Sequence, residues 1–445
     1  MKVTRGYKTE LDPTVKQLVL LYQCAGVARY AYNYGLARKK EVYEQTGKRI
    51  SAIDLQKELT VQKHSDLPWL KKVSKWIYQI ALRDLDQAFD NFFRRLGERK
   101  AGEKHHSLGF PTFKKKSEGI GSLRLDKPIY VLENRIQLPK LGTMRLKEQR
   151  YIPPSGVKVL SATISERAGR WYVAVLVEEN VPEPVSALGA PLGVDLGITS
   201  LAACSDGRPP IKNPKALSAS LKRLKRAQRH LSRCKKGSHN REKARHRVAK
   251  LHARIANIRE DTLHKATSSI AHAPLTKEER STLSAKLSSL LPEAKTKPEQ
   301  KKVKKQVKKM LHRTTEVNAP RRPQVICLED LNVEGMKQNR KLARAISDVG
   351  MGEFRRQMTY KSAWNGEHLI SADRFFPSSK LCHCCGWKWE DMQLSDRIFL
   401  CQNPTCPLYQ VPQDRDINAS QNLEGLAKEE ASALKNIVNG ELHRT

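Results

Sequence analysis

Residues 193–207 read GVDLGITSLAACSDG: an apolar run carrying one carboxylate, Asp195, then Gly197, then a second apolar run that closes on a turn. Each run has the length of a short strand buried on both faces, and the glycine marks a tight connection between them. A lone charge in such a strand is costly unless it is paired or holds a cation. Two other stretches place an acid in the same way. Glu329 follows VICL in PQVICLEDLN (323–332), and Asp416 lies in DRDINASQNL (414–423), just before a helical pattern. HLISADRFF (368–376) reads as one more strand. Strands alternating with helices indicate a mixed α/β core, whose ligands sit beyond the carboxyl ends of the strands.

Three carboxylates at strand ends or strand–helix junctions form the oxygen-donor set that a pair of Mg²⁺ or Mn²⁺ ions needs. Two such ions, about 3.5–4 Å apart, clamp the attacking and leaving oxygens of a phosphodiester. Each acid also has a plainer role open to it. Asp195 can cap the turn at Gly197, Glu329 can pair with a buried arginine, and Asp416 can be the N-cap of the last helix.

The charge of the chain favours the first reading. Among 445 residues, 82 Lys and Arg face 46 Asp and Glu, a formal net charge of +36. That excess points to a polyanionic partner, nucleic acid first, because each phosphate neutralised by Lys or Arg releases condensed counterions. The length allows about two to four domains. No stretch approaches the roughly 18 apolar residues of a membrane span, and MKVTRGYKTELDP lacks the pattern of a signal peptide. The expectation is a soluble cytoplasmic protein with no membrane partner, associated with the nucleoid of a bacterial or archaeal cell when bound to DNA.

The basic residues are concentrated. Residues 221–260, LKRLKRAQRHLSRCKKGSHNREKARHRVAKLHARIANIRE, contain 15 Lys or Arg and two Glu. Leu221, Leu224 and Leu231, then Val248, Leu251, Ile255 and Ile258, give a helical pair a narrow apolar seam, broken at GSHN. An exposed helix usually mixes signs, so this imbalance predicts a face laid against phosphate.

Five of the nine cysteines fall within 25 residues. Cys382 and Cys385 stand in CHCCG, and Cys401 and Cys406 in CQNPTC, separated by a hairpin-like stretch. Four thiolates in two close pairs wrap one tetrahedral Zn²⁺ with no open position, the pattern of a structural site. Cys384 is too near Cys382 to share the chelate, and His383 reads as a surface histidine.

The N-terminal part is β-rich at 1–10 and at about 110–185, where YVLENRIQLPKLGTMRLK and VKVLSATISERAGRWYVAVLVEE each read as strand, turn, strand. Between them lie helices. One starts near Pro13, and another carries the stripe Ile77, Ala81, Leu85, Ala88 and Phe92. Lys75 and Gln79, four apart, share a face of that second helix.

In order, GVDLGITSLAACSDG, LHKATSSIA, ICLEDLNVEGM, FPSSKLCHCCGW and DRDINASQNL resemble the successive signatures of the TnpB family of transposon-encoded RNA-guided nucleases, relatives of type V CRISPR effectors. RGYKTELDPT, YAYNYGLA, LRDLDQAFDNFFRR and GFPTFKKK extend the likeness over nearly the whole chain. The resemblance implies a wedge domain, β-barrel-like, at 1–10 and 110–185, with a helical recognition domain at 11–109. It implies a RuvC-like nuclease of RNase H-type fold at 186–375 and 411–445, and a zinc-ribbon-like target-nucleic-acid module at 376–410. A stretch of about 274–323, longer than the family's usual connection, reads as an inserted basic helical hairpin that adds RNA or heteroduplex contacts. The wider spacing between Cys401 and Cys406 is a second departure.

By the same resemblance Asp195, Glu329 and Asp416 are the catalytic, Mg²⁺-binding acids, the last being the second Asp of DRD, with Asp414 its neighbour. Arg415 and Asn418 are implied to support the site or position the strand. Guide RNA and double-stranded target DNA are the implied partners. The RNA pairs with one DNA strand while the protein reads a short adjacent duplex motif. Lys75 and Gln79 match the reading helix, and their chemistry suits guanine and adenine. The resemblance leaves two alternatives beside an RNA-guided DNA endonuclease with a two-metal site: a miniature type V CRISPR effector of the same architecture, and a nuclease-inactive RNA-guided regulator. A strand-transferring transposase is disfavoured, since no Tyr or His-hydrophobe-His arrangement indicates it.

Overall fold

The computed structural model describes residues 2–102, 108–116, 119, 121–126, 128–181, 183–184, 186–187, 189–271, 322–393 and 395–442. The expected insert at about 274–323 lies outside these residues, apart from Arg322 and Pro323. The chain divides into two compact units, Met1–Val181 and Pro182–Thr445.

In the first unit seven strands form one antiparallel sheet: β1 (Lys2–Asp12), β2 (Ser122–Leu125), β3 (Tyr130–Val131), β4 (Arg135–Leu138), β5 (Gly142–Leu146), β6 (Val157–Arg167) and β7 (Arg170–Asn180). The order is β2-β6-β7-β1-β5-β4-β3, so the N-terminal strand sits inside a sheet built mostly from residues more than a hundred positions later. β6 and β7 turn through Ala168 and Gly169, both at positive φ, the two-residue connection whose twist matches a hairpin. Among the described residues no pairing joins β2 to β3, so the sheet is open and the barrel-like closure expected from the sequence is absent.

Between β1 and β2 come α1 (Val15–Thr46), α2 (Ala52–Gln62) and α3 (Lys75–Lys100). Thr14 and Gln17 form a reciprocal capping box at the start of α1, and Gly47 ends that helix at φ 68°. α1 and α3 touch at Gly35, where an added Cβ would stand 2.7 Å from Leu82 Cδ2.

The second unit is built on five strands: β8 (Leu192–Leu196), β9 (Ser200–Cys204), β10 (Ile211–Lys212), β11 (Val325–Leu328) and β12 (His368–Ser371), in the order β10-β9-β8-β11-β12. The first three are antiparallel, and β8, β11 and β12 run parallel. α4 (Ala216–Arg233) and α5 (His239–Ala271) follow β10 and pack through Leu224 and Ile255, with Val248, Leu251 and Ile258 alongside. α6 (Val333–Gln338), α7 (Ala343–Val349) and α8 (Met351–Asn365) lie between β11 and β12. β13 (Ile398–Phe399), β14 (Gln413–Asp414) and α9 (Arg415–Leu442) complete the unit.

Period-2 alternation assigns the two faces of this sheet. Leu192, Val194, Leu196, Ile326 and Leu328 pack with Leu263 and Ile270 of α5 and Phe354 and Met358 of α8. Val325 and Cys327 point the other way, onto Leu423 and Ala427 of α9. Gly193 and Asp195 share that second face. Gly193 brings α9 against β8, for a Cβ there would lie 1.9 Å from the carbonyl oxygen of Ser420.

Candidate active site and zinc site

β8 and β11 are in parallel register, Val194 beside Leu328. One residue further along both strands the register puts Asp195 level with Glu329, on the face covered by α9. Asp416 lies in the first turn of α9, four residues and so about one turn before the Ser420 that touches Gly193. It therefore projects past the end of β8, and its Oδ2 comes within 3.8 Å of where a Cβ on Gly197 would be. Three segments, far apart in the chain, deliver one carboxylate each to one end of the sheet.

The electrostatics follow from that crowding. Asp195 is 7% exposed. Burial pushes its carboxyl well above the usual range, and the charges of Glu329 and Asp416 push it further. Burial also raises Glu329, while the Ser378 hydroxyl donates to its Oε1 and favours the ionised form. Arg415 Nη2 stands 3.2 Å from Asp416 Oδ1 and its Nη1 donates to the carbonyl of Asp396 at 2.8 Å. Three buried or half-buried acids with one nearby guanidinium leave a net negative pocket. Oxygen donors of that charge fit a hard divalent cation.

Two of the plainer roles fall to other residues. Asp414 is the N-cap of α9: its Oδ1 accepts the N–H of Asp416 at 2.9 Å and of Ile417 at 3.0 Å. Glu329 is held by the Ser378 hydroxyl rather than by a buried arginine; the guanidiniums of Arg355 and Arg374 go to Asp330 beside it.

Among the described residues, one group of His, Cys, Asp or Glu has all its ligand atoms within 4.8 Å of one another: Cys382, Cys385, Cys401 and Cys406. The acids are not drawn into so tight a set. Cys382 and Cys406 have Sγ atoms 3.8 Å apart, and Cys385 and Cys401 3.6 Å. Sulfurs tetrahedrally placed 2.3 Å from a central Zn²⁺ stand about 3.8 Å from one another, so the donor set fits that ion. Cys384 is exposed and outside the set. The stretch between the pairs is not a hairpin closed on itself. Its strand β13 pairs with β14, beyond the second cysteine pair, and β14 runs straight into α9.

Two expectations change. His383 is half-buried, not a surface histidine: its N–H is 3.1 Å and its Nδ1 3.0 Å from Asn418 Oδ1. Asn418 is fully buried, its Nδ2 donating to Leu381 O at 2.7 Å, so it has no surface to offer a nucleic acid and braces the cysteine module instead. Arg415, expected beside it, is half-buried and engaged as above. Lys75 is the first residue of α3 and exposed, and Gln79 one turn on is half-buried. A cation at a helix N-terminus opposes the macrodipole, and the Lys75 ammonium lies 5.7 Å from the centroid of the Trp76 ring.

The sequence reading missed Ser378, in FPSSKLC. Its hydroxyl is small and common, and nothing local signals that it reaches a residue 49 positions earlier.

Three stretches of the chain match known families. Residues 174–278 match a family described as "Probable transposase", residues 1–48 one described as "Helix-turn-helix domain", and residues 352–423 one described as "Cas12f1-like, TNB domain". Residues 2–46 fold here as β1 and the single helix α1, not as two helices about a turn. A protein of Streptomyces pristinaespiralis named "Putative RNA-guided DNA endonuclease" is 32% identical over 95% of this chain and 89% of its own length. InsQ of Escherichia coli (strain K12), of the same description, is 29% identical over 95% of this chain and 92% of its own. A solved Cas12f1–sgRNA–target DNA complex aligns over 95% of this chain and 99% of its own at 14% identity and a TM-score of 0.31. The mini-RNA-guided endonuclease CRISPR-Cas_phi3 aligns over 96% and 92% at 10% identity and a TM-score of 0.38.

Proposed function

The chain belongs to the TnpB family of RNA-guided DNA endonucleases, and from that premise we propose that Asp195, Glu329 and Asp416 hold the divalent cations with which it hydrolyses the DNA selected by its guide RNA. The observation that carries the reading is the convergence of three acids, from β8, the end of β11 and the first turn of α9, at one end of a sheet. The sheet supports a RuvC-like core: three antiparallel strands followed by two parallel ones, with Asp195 and Glu329 at the carboxyl ends of parallel strands and Asp416 on the helix that covers them.

Divalent cations bound there supply charge neutralisation at the scissile phosphate and an activated water. The protein's own part is placement. Asp195 is fixed by a strand with neighbours on both sides, Glu329 is oriented by Ser378, and Arg415 offsets part of the charge of Asp416. The raised carboxyls of Asp195 and Glu329 mark a site whose charge is unbalanced until a cation enters. Cys382, Cys385, Cys401 and Cys406 would hold a structural Zn²⁺. The exposed cations of α4 and α5 suit an RNA or heteroduplex backbone, and Lys75 and Gln79 the edge of a base pair.

The test is to express the protein with its flanking DNA, sequence the RNA that co-purifies, and assay cleavage of a plasmid library matched to that guide. Cleavage should require Mg²⁺ or Mn²⁺ and be lost in Asp195→Ala. Equal cutting by Asp195→Ala and wild type would overturn the assignment. The source of the RNA, a transposon end or a repeat array, separates a transposon-borne nuclease from a miniature CRISPR effector.

A further inference from the structure

The four-cysteine site is tied to two of the three acids, Glu329 and Asp416, through one piece of backbone. Ser378, 3% exposed, donates its hydroxyl to Glu329, and four residues later Cys382 opens the first knuckle. The same backbone is gripped from the other side by α9. Asn422 Nδ2 donates to Ser378 O and to Leu381 O, both at 2.8 Å, and Asn418 Nδ2 donates to Leu381 O at 2.7 Å. Asn418 Oδ1 receives the N–H of His383 at 3.1 Å, so Asn418 holds the residues on either side of Cys382. Asn418 is two residues after Asp416. One carboxylate is thus held by a hydroxyl on this strut, and another sits on the helix that grips it.

We propose that occupation of the four-cysteine site sets the separation of Glu329 and Asp416, so that the acids bind divalent cations in register only while the knuckle is closed around its metal. Ser378, Asn418 and Asn422 are positioning residues in this device and ligate neither metal. The proposal rests on the reading that Asp195, Glu329 and Asp416 form a cation site. Its physical basis is that residues 382–406 bury little apolar surface of their own. Among the described residues, their apolar packing gathers Met392 and Phe399 with the flanks of Trp387 and Trp389 and with Leu408 just beyond, and in so small a module metal binding supplies much of the folding free energy. With the knuckle open, Leu381 O and His383 N–H lose their fixed places, and the buried amide of Asn418 is left with unpaired polar atoms. The first turn of α9, which carries Asp416, must then reorganise. An independent module that only handles nucleic acid would have no such effect on the acids.

The test uses the full-length protein bound to its guide RNA, without target DNA. Mn²⁺ binding is titrated by the loss of the free-ion electron paramagnetic resonance signal, and zinc is measured by elemental analysis. The Cys385→Ser, Cys406→Ser double variant should lose zinc and bind Mn²⁺ about tenfold or more weakly. Asn418→Ala should keep its zinc and show a fall of the same order. Ser378→Ala should fall likewise, with Ser378→Thr, which retains the hydroxyl, recovering most of it. Should the cysteine variant fail to fold by circular dichroism, the zinc-bound Asn418→Ala and Ser378→Ala proteins decide the question. Mn²⁺ affinity within twofold of wild type in those proteins would overturn the coupling. Asp195→Ala in the same titration separates the two readings: if it abolishes Mn²⁺ binding while the other variants do not, the coupling alone fails, and if it changes nothing, the acid site fails with it.

Discussion

Asp414 Oδ1 accepts the backbone N–H of Asp416 at 2.9 Å, so two acids of one tripeptide divide the work between them. The first caps a helix, and the second is left to face Asp195 and Glu329. Asp414→Ala is expected to cost about 1 kcal/mol of stability and less than about tenfold in cleavage, with Asp414→Asn or Asp414→Ser restoring the cap. Asp416→Ala should melt near the wild-type temperature and lose cleavage by about a thousandfold or more. Thermal denaturation and plasmid cleavage on the same samples check both. An Asp414→Ala protein as inactive as Asp416→Ala would contradict the division.

Burial, and then the charges of Glu329 and Asp416, hold the Asp195 carboxyl above its usual range. Between its unfolded pKa near 4 and the raised folded value, the folded state binds more protons than the unfolded one, so stability falls as pH rises through that window. Asp195→Asn should therefore raise the melting temperature of the metal-free protein at pH 7, by about 2–4 °C for each kcal/mol of repulsion relieved. The gain should shrink toward pH 4. Added Mg²⁺ should stabilise the wild type more than the variant, and a variant that melts lower than wild type at pH 7 would count against the crowded-acid picture.

Gly193 is where helix and strand meet most closely. Gly193→Ala would place a methyl 1.9 Å from Ser420 O and 2.4 Å from Glu424 N, both backbone atoms, so α9 must lift from β8. A loss of about 3 kcal/mol or more is expected, read as a large drop in melting temperature or in soluble yield. Gly425→Ala, in the same helix but with open space around it, should be neutral or stabilise by up to about 1 kcal/mol.

The exposed side chains of Arg223, Arg226, Arg229 and Arg233 stand on α4. If they lie against phosphate, replacing all four by Gln should flatten the plot of log affinity for guide RNA against log salt, by about 0.7–0.9 for each phosphate no longer neutralised. An unchanged slope with unchanged affinity would mean that this face is merely solvated.

The parts of the site that were legible in the sequence are those written in local pattern. Val194 and Leu328 belong to strands buried on both faces, which read as unbroken apolar runs, so the acids beside them stood out. The cysteine spacing is likewise a local signal. What stayed hidden depends on contacts between distant residues. Thr14 and Gln17 announce a helix start by their spacing, but nothing near Asp414 says whether it or Asp416 caps α9, because both lie within reach of the same turn. β13 and β14 have two residues each, too few for any period to show. Ser378 and Asn418 are ordinary polar residues whose partners, Glu329 and His383, are chosen by the packing of α9. The open edge of the first sheet was hidden for the same reason, since alternation along a strand does not say what pairs with its outer side.

The order in which the three acids occur along the chain also has a meaning in time. A ribosome adds about 5–20 residues per second, so the interval between the emergence of Glu329 and that of Asp416 is about 4–17 s. The unit Met1–Val181 has been synthesised before Asp195 appears at all. A nascent chain therefore has its first unit available to fold, and the basic face of α4 and α5 available to an RNA, while it is still short of one acid. A chain broken between Ala271 and Arg415 keeps the residues of those surfaces but lacks Asp416. On the proposed reading, in which α4 and α5 bind RNA and Asp416 holds a cation, the late placement of α9 makes synthesis itself a delay between acquiring a guide and being able to cut.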